Sequence, residues 1–383
     1  MTSWATWAGT ELSAIRAAGR WRVVRDLDGR GQVHSLAGVE GAVVSFASND
    51  YLGLTTHPTV VSAAHEALDR WGAGSGSARL IVGSRPVHTA LETELAGWKE
   101  TEAALLFPTG FAANLGVLSA LGTADVTIVS DELNHASIID GCRLARSEVA
   151  IARHGDLDHF AALVAGARAR GRRPLVVTET VFSMDGDRAP LAGLASLCAD
   201  HDALLVLDEA HSVLGPAPAQ SAGGGLLRVG TLSKTLGALG GFAAGPRALI
   251  DLLRNRARPF IFTTASTPAD TAAALAALHV LRGPEGAALV TRLRGLVARL
   301  RPGHGSPIIP VVLGGEADAL AAADALLGRG MLVPAIRPPT VPVGTSRLRI
   351  ALSAAHTDHQ LDQLSLALGE LGLHDRGAVG VAT

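Results

Sequence analysis

The chain predicts an α/β fold, a large domain with a mostly parallel sheet flanked by helices, followed by a smaller C-terminal α+β domain. Three observations predict it. The runs "AALLF" (103–107), "VTIV" (126–129), "PLVVT" (174–178), "ALLVLD" (203–208) and "LLRVGT" (226–231) are apolar at successive positions, the pattern of strands buried on both faces. Stretches of helical period separate the runs, giving a βαβ rhythm. After "RGPEG" (282–286) the pattern changes to a helical segment, "SPIIPVVL", another helix, "MLVPAI", "RLRIALS" and a last helix.

Each element has a local reason. Val60, Val61, Ala64, Leu68 and Trp71 recur at helical spacing, as do Val87, Leu91, Leu95 and Trp98. Asp156 is placed to N-cap a helix in "DLDHFAALVAGARARG" (156–171), and Pro190 suits the first turn of "PLAGLASLCADH" (190–201). "GPAPAQSAGGG" (215–225) reads as a surface loop, and the tail "HDRGAVGVAT" as frayed. The expected division is an N-terminal segment 1–45, a large domain 46–283 and a small domain 284–383.

Composition removes several function classes. Hydrophobic residues make up 48% but aromatics only 4%, so the core should be aliphatic and helix-rich. Net charge is −2 and no basic block stands out, which argues against nucleic-acid or anionic-membrane partners. No apolar run approaches the ~18–20 residues of a membrane span. The N-terminal stretch does not read as a signal peptide, and Cys142 and Cys198 form no CxxC pair, so a reduced, cytoplasmic chain is the expectation. "DEAH" (208–211) is also a helicase signature, but neither lysine follows a glycine, so there is no GxxxxGK[ST] loop. "GAGSGSA" (72–78) lacks GxGxxG spacing. The 14 histidines show no metal-ligand spacing, and GxSxG and HExxH are absent.

Chemistry enters with "GTLSKTLGALGG" (230–241). The 33 basic residues include just two lysines, Lys99 and Lys234. Arginine stays protonated and cannot act as a nucleophile; a desolvated lysine can lose its proton and attack a carbonyl. Lys234 follows a predicted strand, with Thr231 and Ser233 before it and glycines after it, and is a Schiff-base candidate. The cofactor with an aldehyde and a phosphate is pyridoxal 5′-phosphate. It needs a carboxylate at its ring nitrogen, and Asp208 ends the strand "ALLVLD". It also needs a ring against its face, for which His135 in "LNHAS" is available. Its phosphate needs a helix N-terminus, and Gly110 and Phe111 in "PTGFAAN" follow the strand "AALLF". Taken singly, each of these residues is as well explained as a surface lysine, a structural histidine or a turn; their shared place at successive strand ends is what points to the cofactor.

The chain resembles the α-oxoamine synthases, fold-type I pyridoxal-phosphate transferases. The resemblance rests on "FASNDYLGL", "HTALETELAGW", "FPTGFAAN", "LNHASIIDG", "VFSMDGDRAPL", "LDEAHS", "TLSKTLGALGG", "RPFIFTTA" and "AIRPPTVPVGTSRLRIALSAAH", which span residues 46 to 356. It implies that Lys234 forms the Schiff base, Asp208 pairs with the ring nitrogen, His211 bonds the phenolic oxygen and His135 stacks on the ring. Ser183 would lie close to the cofactor, and Thr231 with the backbone of Gly110 and Phe111 would contact the phosphate. Arg349, helped by Asn49, would hold an amino-acid carboxylate; Thr340 and an N-terminal arginine, Arg22 or Arg20, would contact substrate. The resemblance further implies a homodimer, with Thr263 and Thr264 reaching the partner's phosphate. "IRPPTVP" favours the biotin-pathway branch, which condenses L-alanine with a pimeloyl thioester carried by CoA or an acyl carrier protein. Glycine C-acetyltransferase, 5-aminolevulinate synthase and a cofactor-binding regulator are the alternatives.

Overall fold

The computed structural model describes residues 3–215 and 225–374. The tip of the expected 215–225 loop and the tail beyond His374 lie outside them. In chain order the strands are β1 (Leu27–Arg30), β2 (Val33–Leu36), β3 (Ala42–Ser45), β4 (Ala103–Phe107), β5 (Val126–Asp131), β6 (Glu148–Ala152) and β7 (Arg173–Glu179). Then come β8 (Leu204–Asp208), β9 (Leu226–Thr231), β10 (Gly241–Gly245), β11 (Ile308–Gly314), β12 (Met331–Leu332), β13 (Ala335–Ile336) and β14 (Ser346–Ala351).

The central sheet has seven strands in the order β4-β10-β9-β8-β7-β5-β6. β10 runs antiparallel to both its neighbours, while β9, β8, β7, β5 and β6 pair in parallel. The five apolar runs are all strands of this sheet, and every residue of β4 and β5 is buried. Helices cover both faces: Gly110–Leu121 and Arg247–Arg256 pack on one side, and Pro86–Trp98 and Pro268–Arg282 on the other. No described helix is long and apolar enough to cross a membrane.

Helix starts follow local chemistry. Asp156 caps Leu157–Ala169 by accepting the His159 N–H at 2.9 Å. Pro58 and Pro86 open their helices at the first turn, where a missing N–H costs nothing. Pro190 differs from expectation: it sits one residue earlier, at the N-cap, and the helix runs Leu191–Asp200. The break at "RGPEG" is a one-residue corner at Gly283 between Pro268–Arg282 and Pro284–Leu300.

The C-terminal part forms an antiparallel sheet in the order β11-β14-β13. Residues 27–45, expected as part of a separate leading segment, form β1-β2-β3, and β3 pairs in parallel with β12 from the far end of the chain. "MLVPAI" therefore splits at Pro334 into two short strands that serve different sheets.

One charged clip ties the β5, β6 and β7 ends together. His154 Nδ1 lies 3.0 Å from Asp131 Oδ1 and its Nε2 lies 2.8 Å from Asp187 Oδ2. Burial alone pushes this imidazole down, but the hydrogen bonds and charges of the two carboxylates outweigh it and raise it to about 10. A folded-state value above the unfolded one means stabilisation that is complete below the unfolded value and lost as pH climbs towards 10. The urea midpoint should therefore decline from neutral to strongly alkaline pH, and His154→Gln should flatten that decline. Parallel declines in both proteins would show that the clip is not its source.

Candidate active site

The loops that follow β4, β5, β7, β8 and β9 meet at one end of the sheet. After β4, Thr109 caps the helix Gly110–Leu121: its hydroxyl accepts the Ala112 N–H and its carbonyl accepts the Ala113 N–H, both at 3.0 Å. The N–H groups of Gly110 and Phe111 have no intrahelical acceptor and stand at the positive end of the helix dipole. β9 and β10 press against this turn. A Cβ on Gly241 would sit 2.4 Å from the Thr109 carbonyl oxygen, and one on Gly110 would sit 3.0 Å from Thr231 Cβ. Thr231 and Ser233 share a hydrogen bond of 2.7 Å beside the same turn.

Lys234 begins a continuous hydrogen-bonded chain. Its Nζ is 2.7 Å from His211 Nε2, and His211 Nδ1 is 2.6 Å from the Tyr51 hydroxyl. That hydroxyl donates to Asn49 Oδ1 at 3.2 Å, and the same oxygen accepts an Arg349 N–H at 3.1 Å. Arg349 Nε donates to the Ser183 carbonyl at 2.6 Å. Arg349 is buried, yet among the described residues no carboxylate pairs with it.

Burial, reinforced by the Arg349 charge, pulls the Lys234 amine down, against the pull of Asp208 and Glu179. Burial and the Lys234 and Arg349 charges hold His211 well below the ordinary imidazole range, and burial drives Tyr51 up to about 12. His211 is therefore neutral and Tyr51 a phenol. Two proton arrangements satisfy this chain. An ammonium at Lys234 donates to Nε2 while Nδ1–H donates to the Tyr51 oxygen. Alternatively, Tyr51 turns its one O–H from Asn49 Oδ1, which keeps the Arg349 N–H, to Nδ1, while Nε2–H donates to a neutral Lys234 amine. Lys234 can thus lose a proton without leaving a partner unsatisfied.

Asp208 ends β8. Its Oδ2 accepts from Asn114 Nδ2 at 2.7 Å, and its Oδ1 accepts the Ala210 N–H at 2.9 Å. Asn114 also donates to Ser137 Oγ at 2.9 Å, and Ser137 Oγ lies 2.8 Å from His135 Nδ1. Burial, with the Lys234 charge, lowers His135 against the opposing pull of Asp208. Lys234, His211, Asp208, His135, Ser183, Arg349 and Asn49 are thus brought into one cluster, with Gly110, Phe111 and Thr231 at its margin.

The remaining candidates lie further out. Thr340 is exposed and lines, with Ser183, Met184, Val341 and Arg347, a cavity of about 360 Å³. Arg20 is held by Glu316 in a two-pronged pair, with N–O distances of 2.7 and 3.3 Å, whereas Arg22 is exposed and bonds none of the described residues. Thr263 and Thr264 line a small cleft with Phe107 and Pro108. Lys99, the other lysine, is structural: it pairs with buried Glu209 at 2.6 Å and lies over the Trp98 ring at 3.6 Å.

The aminotransferase class I and II family model matches residues 42–368. The 8-amino-7-oxononanoate synthase of Anaeromyxobacter dehalogenans (strain 2CP-1 / ATCC BAA-258) is 52% identical, over 94% of each chain. The chain belongs to the aminotransferase class I and II family, with the 8-amino-7-oxononanoate synthases. A solved structure described as SPT with its PLP internal aldimine superposes with a TM-score of 0.88 at 28% identity, over 97% of this chain and 100% of the other. The 8-amino-7-oxononanoate synthase of Francisella tularensis superposes with a TM-score of 0.71 at 26% identity, over 86% and 98%.

The family's cofactor is pyridoxal phosphate, and the residues present fit it. The amine, the carboxylate, the two imidazoles and the helix-start N–H groups are the donor set its aldehyde, ring and phosphate require. Buried oxygens without partners, Asn114 Oδ1 and Glu179 Oε1, lie around Asp208. Three residues of this cluster escaped the sequence reading. Tyr51 carried a signal, since it is the chain's one tyrosine. Asn114 and Glu179 carried none, because their contacts come from strands and helices distant in sequence.

Tyr51→Phe keeps the ring but leaves His211 Nδ1 unpartnered. Loss of about 1–3 kcal/mol for a buried unpaired group corresponds to a fall of about 5- to 150-fold in kcat/KM. Steady-state kinetics beside a thermal melt checks this; an unchanged kcat/KM would remove Tyr51 from the relay.

Proposed function

We propose that the chain condenses L-alanine with a pimeloyl thioester, on CoA or an acyl carrier protein, yielding 8-amino-7-oxononanoate, CO2 and the free thiol, a step of biotin synthesis. The observation that carries this reading is an amine of lowered proton affinity, Lys234, in the same hydrogen-bonded chain as a buried guanidinium, Arg349, that no described carboxylate neutralises. An amine of that kind suits imine chemistry, and such a guanidinium suits a substrate carboxylate.

Pyridoxal phosphate, when bound, supplies an aldehyde for an amine and a conjugated ring that takes up electrons from the amino acid's α-carbon. The Lys234 amine would hold it and, as a free base, would take the proton from alanine's α-carbon. Asp208 holds a proton on the ring nitrogen, held in place itself by Asn114 and Ala210. His211 donates to the phenolic oxygen, and His135 covers the ring face beside Ser183. Gly110 and Phe111 N–H groups with the Thr231 hydroxyl hold the phosphate. Arg349 and Asn49 orient alanine's carboxylate. The acyl chain occupies the cavity lined by Ser183 and Thr340, with Arg22 free to meet the thioester's polar end. Exposed Leu80, Ile81, Val82 and Phe262 support a homodimer in which Thr263 and Thr264 face the partner's phosphate.

The purified chain incubated with pyridoxal phosphate should show a visible band, and borohydride should add the cofactor's mass to the peptide holding Lys234. Lys234→Ala and Lys234→Arg should both lose band and turnover, because arginine keeps the charge but not the nucleophile. In a thiol-release assay, pimeloyl donor with alanine should exceed acetyl donor with glycine by about tenfold or more. The reverse order would move the chain to glycine C-acetyltransferase chemistry. A chain with a band but no thiol release from any donor would be a cofactor-binding regulator.

A further inference from the structure

Glu179 ends β7 and its side chain is sealed from solvent, with the residue 2% exposed. In the parallel ladder its register partner is Asp208, so two carboxyls stand on adjacent strands at the same level. Asp208 has protein partners on both oxygens. Glu179 Oε1 has none. Buried polar atoms in native proteins are overwhelmingly paired, and an exception calls for a partner from outside the chain. The backbone N–H groups of His135 and Ser183 turn towards the same carboxyl, so this side chain also links the β5 loop to the β7 loop. Those loops carry the imidazole of His135 and the carbonyl that accepts from Arg349.

Burial first, then the neighbouring Asp208 charge, raises Glu179 well above the ordinary carboxyl range. Of two carboxyls side by side one keeps its proton, and a carboxylic acid donates where a carboxylate only accepts.

We propose that Glu179 is a positioning residue of the reaction centre, whose Oε1 hydrogen-bonds the polar edge of the heteroaromatic cofactor held between Asp208 and Lys234. This rests on the pyridoxal-phosphate reading above. A merely structural carboxyl has no use for an orphan oxygen at this place. It also predicts that removing the carboxyl weakens apo and cofactor-loaded protein equally.

The test compares the full-length wild type with Glu179→Met, which keeps the volume without polar atoms, and Glu179→Gln, which keeps a donor and an acceptor but cannot ionise. Pyridoxal phosphate is titrated into each apo protein by the visible band, and the melting temperature is read with and without it. The expected result is affinity about tenfold weaker or more in Glu179→Met, with a reduced gain in melting temperature on loading, and affinity within about threefold of wild type in Glu179→Gln. Infrared difference spectra give a readout that needs no folded Met variant. The carbonyl stretch of a protonated acid should shift when pyridoxal phosphate is added to wild type, and that signal should vanish in Glu179→Gln. Wild-type affinity in Glu179→Met overturns the proposal. So does a loss in Glu179→Gln as large as in Glu179→Met, or an infrared band indifferent to the cofactor. A wild-type chain that forms no visible band overturns the functional reading and this one together; a wild-type band beside any of those three results overturns this one alone.

Discussion

Two cations buried within one hydrogen-bonded chain are the constraint on which the site depends. Lys234 and Arg349 are linked through His211, Tyr51 and Asn49, and among the described residues Arg349 has no anion of its own. Arginine cannot relieve the repulsion, because its guanidinium stays charged. Lysine can, by losing a proton, and the site is arranged to let it. His211 accepts or donates at Nε2 according to which tautomer it holds, and Tyr51 answers at Nδ1. The result is an amine whose proton can leave without opening an unsatisfied buried group. This is a physical reason for a lysine in a chain that uses arginine nearly everywhere else.

The sheet makes that arrangement affordable by supplying rigid ends. Asp208, Glu179 and the turn at Thr109 all sit where strands stop, so their backbones are fixed by ladder hydrogen bonds up to the last residue. β10 has a special part in this. As the antiparallel strand between β4 and β9, it brings Gly241 into register with Phe107 on one side and Thr231 on the other. Any side chain at 241 would collide with the Thr109–Gly110 backbone. Glycine at that position allows the helix start and the Thr231 hydroxyl to face the same small volume.

Much of this was legible in the sequence, and the reason differs from element to element. The five runs buried on both faces announced themselves as strands because parallel strands covered by helices need apolar residues at consecutive positions. β6, "EVAIA", escaped because it is an edge strand with three of its five residues exposed, so its pattern is neither continuous nor cleanly alternating. β1 to β3 escaped because they are short and join through turns, and β3 finds its last partner in β12, nearly three hundred residues away. Lys234, Asp208 and His135 could be singled out because each lies at or just after a strand end, whereas His211 was named only through the family resemblance. Glu179 was not named at all, since a lone glutamate at a strand end is usually solvated, and only the packed structure shows it sealed.

The motif "RLR" marks the limit of what spacing can say. Arg347 and Arg349 are two residues apart on β14 and so share a face of the strand. Both are buried, and nothing local separates them. Their partners separate them. Arg347 bonds the Asp185 carboxylate, which neutralises it, while Arg349 finds a carbonyl at Ser183 and an amide oxygen at Asn49, which orient it and leave its charge in place. A guanidinium that is satisfied but not neutralised is costly in an interior unless an anion arrives from outside. The first arginine therefore closes the β7 loop onto the sheet, and the second keeps its charge for a carboxylate. That difference resides wholly in where residues 49, 183 and 185 come to lie, and it leaves one of two identical side chains neutralised and the other charged.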